Sequence, residues 1–243
     1  MIKFFRKIRQ QLLSENKLGK YLAYAIGEIF LVMVGILLAL QVNTWNENRK
    51  ESKTELDILT GIKNDLNDDI IGLAELVSFD SLVVARTEQL LDILQNDTTE
   101  YDTTMDELFG VTEVYLIFHA KKLSYTTLQQ KGLSIISNDS LLSKIINVYD
   151  VSYVNQGDLN DILKSVLINS QNINYKYLST GTNIMRKRPN DFKALKSNNE
   201  YKNYLSHTAA IRRLFMNNTK DILAFSIEVR DEIEIEIKRL KNK

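Results

Sequence analysis

The chain has 243 residues with one proline, nine glycines and no cysteine, where average usage would give roughly 12 prolines and roughly 17 glycines. So few breakers argue against a β-sandwich, a β-barrel or a Rossmann-type fold, which need frequent turns, and the missing thiols remove disulfides, cysteine nucleophiles and thiolate metal sites. The 31 basic residues are matched by 31 acidic ones, which leaves no net basic field to draw nucleic acid.

Residues 1–20 open the chain as a basic segment. Ile2, Phe5, Ile8 and Leu12 recur at three and four residues with Lys3, Arg6, Lys7 and Arg9 between them, a pattern that predicts an amphipathic helix lying on anionic membrane lipid. Residues 21–42 (YLAYAIGEIFLVMVGILLALQV) follow. As a helix rising about 1.5 Å per residue they cross a hydrocarbon core of about 30 Å. A cleaved signal peptide would carry a shorter apolar region and a small-residue cleavage site, so the segment reads as an uncleaved signal anchor. Six basic residues precede it (Lys3, Arg6, Lys7, Arg9, Lys17, Lys20) against Glu15, whereas Arg49, Lys50 and Lys53 after it are balanced by Glu47, Glu51 and Glu55. The positive-inside rule then predicts a cytoplasmic N-terminus and residues 43–243 exported to a periplasm, with Trp45 as an interfacial anchor.

Two features of the span suggest more than anchoring. Ala23, Gly27, Gly35 and Ala39 form a stripe of small residues that lets two helix backbones approach, which predicts a homo-oligomer. Glu28 is an acidic residue inside the span, where charge is costly and is usually turned toward a partner or a wet cavity.

Residues 1–9 (MIKFFRKIR), 14–17 (SENK), 24–29 (YAIGEI) and 35–47 (GILLALQVNTWNE) resemble the N-terminal signature of a large family of Gram-negative envelope proteins catalogued only as a domain of unknown function. Weaker pieces of the resemblance continue at Ile62-Lys-Asn-Asp-Leu, Thr127-Leu-Gln-Gln-Lys-Gly and Ile136-Ser-Asn-Asp-Ser-Leu. The resemblance implies a compartment and no activity, and the family pattern includes the position of Glu28.

Beyond the membrane segment, Leu59, Leu66, Ile70, Leu73, Val77, Val84, Leu91 and Leu94 fit steps of three and four, interrupted by Asp80 and Thr87, and predict a helical seam from about residue 51 to 95. No proline separates it from the span, so the two read as one long rod. Residues 97–104 (DTTEYDTT) read as a loop, 105–119 as a shorter helix, and 123–136 as a segment carrying Gly132. Asn138 looks like the N-cap of a helix bearing Leu141, Leu142, Ile145, Ile146 and Tyr149. That helix is expected to continue, or to bend at Gly157, through Leu159, Ile162, Leu163, Val166 and Ile173 to about Tyr177, with Ser179-Thr-Gly181 as an ending. Arg186, Lys187 and Arg188 before Pro189 invite a phosphate or lipid reading, but cations at a helix C-terminus before a stop account for them. A last helix is expected over residues 199–240, with Tyr204, Ile211, Leu214, Phe215, Ile222, Phe225 and Val229 on its apolar side. Its tail alternates like a strand, yet Ile233, Ile237 and Leu240 also keep helical spacing. The fold class expected is all-α: one N-terminal transmembrane helix followed by an elongated antiparallel bundle of long helices, a single core being within reach of roughly 190 exported residues.

Candidate chemistry is sparse. Asp65, Asp68 and Asp69 share a helix face but read as a solvated acidic surface rather than a cation site. His119 and His207 stand apart from any metalloprotease motif, and phosphate loops and nucleophile elbows are absent. Asp80-Ser-Leu, Asp139-Ser-Leu, Asp97-Thr-Thr and Asp102-Thr-Thr resemble an O-glycosylation acceptor of some Gram-negative envelopes, a hint of compartment. Neither a cofactor, a metal nor catalysis is expected. The leading expectation is a membrane-anchored oligomeric scaffold or accessory protein that presents a periplasmic bundle to an envelope partner. An ion-coupled, stator-like single-span subunit using Glu28 is the alternative, and a periplasmic ligand sensor lacking its own output domain a third.

Overall fold

The computed structural model describes residues 18–96 and 98–242, so the amphipathic segment expected before Leu18, and Asp97 of the first Asp-Thr-Thr motif, lie outside the described residues. The chain divides into two units, Met1–Thr54 and Glu55–Lys243. Helix α1 spans Leu18–Gln95. Over residues 25–42 it is apolar all round apart from Glu28 and Gln41, and Ile26, Ile29, Phe30, Leu31, Val32, Met33, Leu37 and Leu38 are all exposed; from Asn43 to Thr54 it is polar. A helix that is apolar all round needs an apolar environment on all sides. Among the described residues this is the one helix long and apolar enough to cross a membrane.

In the second unit α1 changes character. Its buried residues include Glu55, Leu59, Ile62, Leu66, Asp69, Leu73, Leu76, Asp80, Val83, Thr87, Leu90 and Leu94, alternating in steps of four and three throughout, the period of a coiled-coil seam. The line through Leu59, Leu66 and Leu73 is the expected one. The companion line lies one residue earlier than expected, on Ile62, Asp69, Leu76, Val83 and Leu90 rather than Ile70, Val77, Val84 and Leu91, although Val84 is also buried. Asp80 and Thr87 belong to the seam and do not interrupt it.

The last helix, α7 (Asn199–Lys241), repeats the pattern. Tyr201, Leu205, Thr208, Arg212, Phe215, Thr219, Ile222, Ser226, Val229, Ile233, Glu236 and Leu240 are buried in the same alternation. Its strand-like tail is helical, since Ile233, Ile237 and Leu240 turn inward while Ile235 is exposed. Leu214, expected on the apolar side, is 65% exposed, because the inward register selects Arg212 and Phe215. The two helices run antiparallel: Ile58 to Leu73 share a core with Ile222 to Leu240, and Leu90 and Leu94 share another with Tyr201, Tyr204 and Leu205.

Between them the chain is less regular. A 3-10 turn, Thr103–Met105, is capped by Asp102 accepting the Thr104 N–H and leads into α2 (Asp106–Val111). The helix expected as far as residue 119 stops there, and residues 114–122 have no regular secondary structure. Helix α3 (Leu123–Lys131) ends at Gly132, whose φ of 109° suits the one residue without a Cβ. Asn138 caps α4 (Asp139–Ile146) as expected, its side chain accepting the Leu141 N–H. The chain then passes through a π-helical stretch, Asn147–Ser152, into α5 (Tyr153–Tyr177); the irregularity falls at this stretch, and Gly157 lies within α5.

After α5 comes an antiparallel hairpin, β1 (Leu178–Thr180) and β2 (Lys187–Pro189), with Leu178 opposite Pro189 and Thr180 opposite Lys187. It replaces the helix end expected before Pro189. A short helix, α6 (Phe192–Lys196), capped by Asp191, completes the connection to α7.

Candidate functional site

Gly27, Gly35, Ala39 and Trp45 are exposed on the first unit of α1, and no other described part of the chain comes within 4 Å of a Cβ built on either glycine. The Ala23 side chain lies outside the described residues. Seven residues are just short of two helical turns, so Glu28, which is partly buried, shares a face with Gly35, and Ala39 follows one turn later. The helix therefore places the acidic residue beside part of the small-residue stripe.

In the second unit the acidic residues of α1 bind the backbone of the irregular segment. Glu55 Oε1 accepts the Ser137 N–H at 2.7 Å and its hydroxyl at 2.8 Å. Asp65 Oδ2 accepts the Ser124 N–H at 2.9 Å, and Asp69 Oδ1 accepts the Lys121 N–H at 2.8 Å. These N–H groups lie beside the starts of α3 and α4, where backbone donors lack helical partners. The solvated acidic face expected at Asp65, Asp68 and Asp69 is thus largely an internal fastening. Only Asp68 is exposed, and Asp69 is 2% exposed. Burial raises the Asp69 carboxyl to about 6 against the Lys121 N–H and the Tyr153 hydroxyl, which favour the anion, while Asp65 and Asp68 repel it. The Tyr153 hydroxyl lies 3.3 Å from Ser226 Oγ, where either oxygen can donate, and Asp69 Oδ2 is left without a hydrogen bond. Around it Tyr149 stacks on Tyr125 with centroids 4.5 Å apart and meets the edge of Tyr153 at 5.4 Å.

The middle of the bundle is polar as well. Arg212, with a fully buried side chain, donates from Nη1 to Asp80 Oδ1 at 2.8 Å and from Nη2 to the Val114 carbonyl, while its Nε has no partner. Burial pushes the Asp80 carboxyl up and the Arg212 guanidinium down, and their mutual attraction opposes both shifts. Thr219 donates to Gln156 at 3.0 Å. Arg212 carried no signal as a single residue; only its place in the register between Thr208 and Phe215 could have marked it as internal.

The basic cluster is also spoken for. Arg186 donates to the Thr103 carbonyl at 3.3 Å, Lys187 pairs with Glu113, and Arg188 Nε pairs with Asp106 Oδ2 at 2.9 Å. Burial works against the Asp106 carboxylate, but the Tyr101 hydroxyl and Arg188 outweigh it and hold the group below the usual range. The cations lock the hairpin onto α2, and the helix C-terminus expected for them is absent. Backbone contact there is close: a Cβ on Gly110 would sit 2.0 Å from the Met185 carbonyl oxygen. His119 and His207 are exposed, and among the described residues no group of three or more His, Asp or Glu is placed to hold a metal ion. Of the Asp-Ser/Thr motifs, Asp80 is tied to Arg212, Asp102 caps a turn and Asp139 opens α4.

These features define an all-helical protein with one helix of membrane-crossing length and a bundle whose seams carry buried, bonded polar groups. The chain belongs to the Family of unknown function DUF6090, whose model matches residues 28–189. That stretch runs from Glu28 through the α1 seam and the irregular segment to the end of the hairpin. No curated protein and no solved structure matches it.

Proposed function

We propose that this protein is a single-span inner-membrane scaffold, with a cytoplasmic N-terminus and a periplasmic helical bundle, that associates with a second copy through its membrane helix and offers the bundle to an envelope partner. The observation that carries the reading is the stretch of α1 over residues 25–42, apolar and exposed, with no other described part of the chain against Gly27 or Gly35. Small residues on such a helix favour close helix pairing in lipid. The balance of charge across the span supports the orientation. An interaction role is favoured over catalysis because Glu55, Asp65, Asp69 and Asp80 are used to hold backbone N–H groups and Arg212.

The test is purification from native membranes in mild detergent, followed by mass measurement and identification of bound proteins. A homo-oligomer that dissociates on Gly35→Ile but not on Leu37→Ile, which faces away from Gly35, supports the scaffold. Equal masses for both variants would reduce the span to an anchor.

The placement of Glu28 beside Gly35 favours one second reading, an ion-coupled subunit of a larger membrane complex. Glu28→Gln separates the two. A packing role predicts normal assembly and retained function, because Gln keeps the size and hydrogen-bonding capacity. A proton carrier predicts normal assembly with the phenotype of a deletion, since Gln does not titrate.

A further inference from the structure

Residues 114–122, the stretch without regular secondary structure, are fastened mainly at their two ends. From Val114, whose carbonyl is held by the Arg212 that pairs with Asp80, to Lys121, whose N–H is held by Asp69, the chain runs back along α1. Among the described residues, the backbone between these ends is tied at one further point, where the Phe118 carbonyl accepts the Asn160 side chain at 3.4 Å. That is a long bond. The Lys121 end of the segment therefore rests on Asp69 and on the Phe118 ring, which lies 3.6 Å from a Cβ built on Gly72 and meets the edge of Tyr153 with centroids 5.2 Å apart.

Asp69 is a buried carboxylate with no counter-ion. The charges that act on it, Asp65 and Asp68 on α1, are acidic and repel the anion. The π-helical stretch and α5 present the Tyr149 and Tyr153 hydroxyls, pushed up chiefly by burial and so uncharged, and Tyr125 of α3 is bonded to Asp150. In the segment itself the His119, Lys121 and Lys122 side chains are exposed. On α7, Ser226 meets Tyr153, and Arg230 is engaged by Asp231 and Asn67. Asp69 Oδ2 and the Tyr149 hydroxyl both lack a hydrogen-bond partner. A proton on Oδ2 removes the buried charge and its repulsion, and adds a donor to a core that holds an unbonded hydroxyl. The anion is relieved instead by water, which reaches it when the segment lifts.

We propose that Asp69 is a pH-sensitive latch: protonated, it keeps residues 114–122 closed over the groove between α1 and α5, and on losing its proton as the surroundings pass from acid to neutral it lets the segment lift. Lifting bares Phe118, Gly72 and Tyr153, an apolar strip that acid conditions keep covered. The direction follows from linkage. The closed form, with its carboxyl raised by burial to about 6, binds the proton more tightly than an open form in which the group returns toward 3.8, so closure is strongest in acid and weakens as pH rises through about 6. The latch goes beyond the scaffold role and does not depend on the orientation of the membrane helix.

The experiment is amide hydrogen exchange on the full chain in lipid nanodiscs, with Lys121 resolved by fragmentation and each rate normalised to that of an unstructured chain at the same pH. Between pH 5 and pH 7 the protection of the Lys121 amide is expected to fall about tenfold in wild type, and to stay constant in Asp69→Asn, which keeps the acceptor but does not titrate. Low urea is expected to leave this exchange unchanged, the mark of local opening, while the amides of α7 around Val229 stay better protected and respond to urea. Equal protection at both pH values in wild type, the same fall in Asp69→Asn, or Lys121 exchange that matches α7 in rate and urea response overturns the proposal. If Asp69→Asn does not fold, the wild-type pH and urea series decides alone.

Discussion

Asp69 illustrates what a buried carboxylate does to a helical bundle. Its pKa is raised from 3.8 to about 6 by burial, so the folded protein holds this proton more tightly than the unfolded chain does. Stability from this group is therefore full below the unfolded value and falls as pH rises through the folded one, by about 3 kcal/mol for a shift of this size. Asp69→Asn keeps the acceptor for the Lys121 N–H and turns the unbonded Oδ2 into a donor. It is expected to stabilise the protein near neutral pH and to flatten the acid side of the urea midpoint against pH; a variant with the wild-type pH profile would show that Asp69 is not the titrating group. Arg212 and Asp80 give the opposite case, a pair whose halves depend on each other. Arg212→Ala strands Asp80 and is expected to lose about 3–5 kcal/mol, whereas Arg212→Met with Asp80→Leu should recover most of that loss. Chemical denaturation of Arg212→Met, Asp80→Leu and the double variant measures the coupling.

At the scale of elements, legibility followed the range of the forces involved. Asn138 was readable as a cap because its bond to the Leu141 N–H spans three residues, and α7 was readable because its apolar period persists for forty-three residues. The companion line of the α1 seam was misplaced because Glu55 and Asp69 occupy it, so hydrophobicity pointed to Ile70 instead. What makes those positions internal is a set of N–H donors 52 to 82 residues away, which no local pattern contains. The hairpin escaped notice for the same reason: its strands are three residues each, and ion pairs to Glu113 and Asp106 hold it in place. Gly27 and Gly35, spaced along one apolar stretch, could be read from the sequence, but the contact at Gly110 could not. Gly110→Ala puts a methyl carbon into the Met185 carbonyl, so the hairpin must move. Limited proteolysis should then cut between Thr180 and Lys187 faster than in wild type, with a stability loss of about 1–3 kcal/mol. Equal cleavage rates would mean that the backbone shifts at little cost.

For the whole molecule, the proposed orientation makes one sharp demand. A reporter that is active only outside the cytoplasm, fused after Lys243, is expected to be active, and activity of the opposite reporter would reverse the placement of the bundle. The antiparallel pairing of α1 with α7 also sets the order of events in synthesis. Asp80 meets Arg212 132 residues downstream, and Asn67 meets Arg230 163 residues downstream. Helix α1 therefore leaves the ribosome long before its partner exists, and must wait as an unpaired amphipathic surface, the kind of surface on which nascent chains aggregate. Glu55, Asp69, Asp80 and Thr87 place polar groups along that surface. The residues that fasten the finished bundle thus also keep its first half hydrated during the interval, and a seam made wholly of leucine would trade that protection for a tighter core.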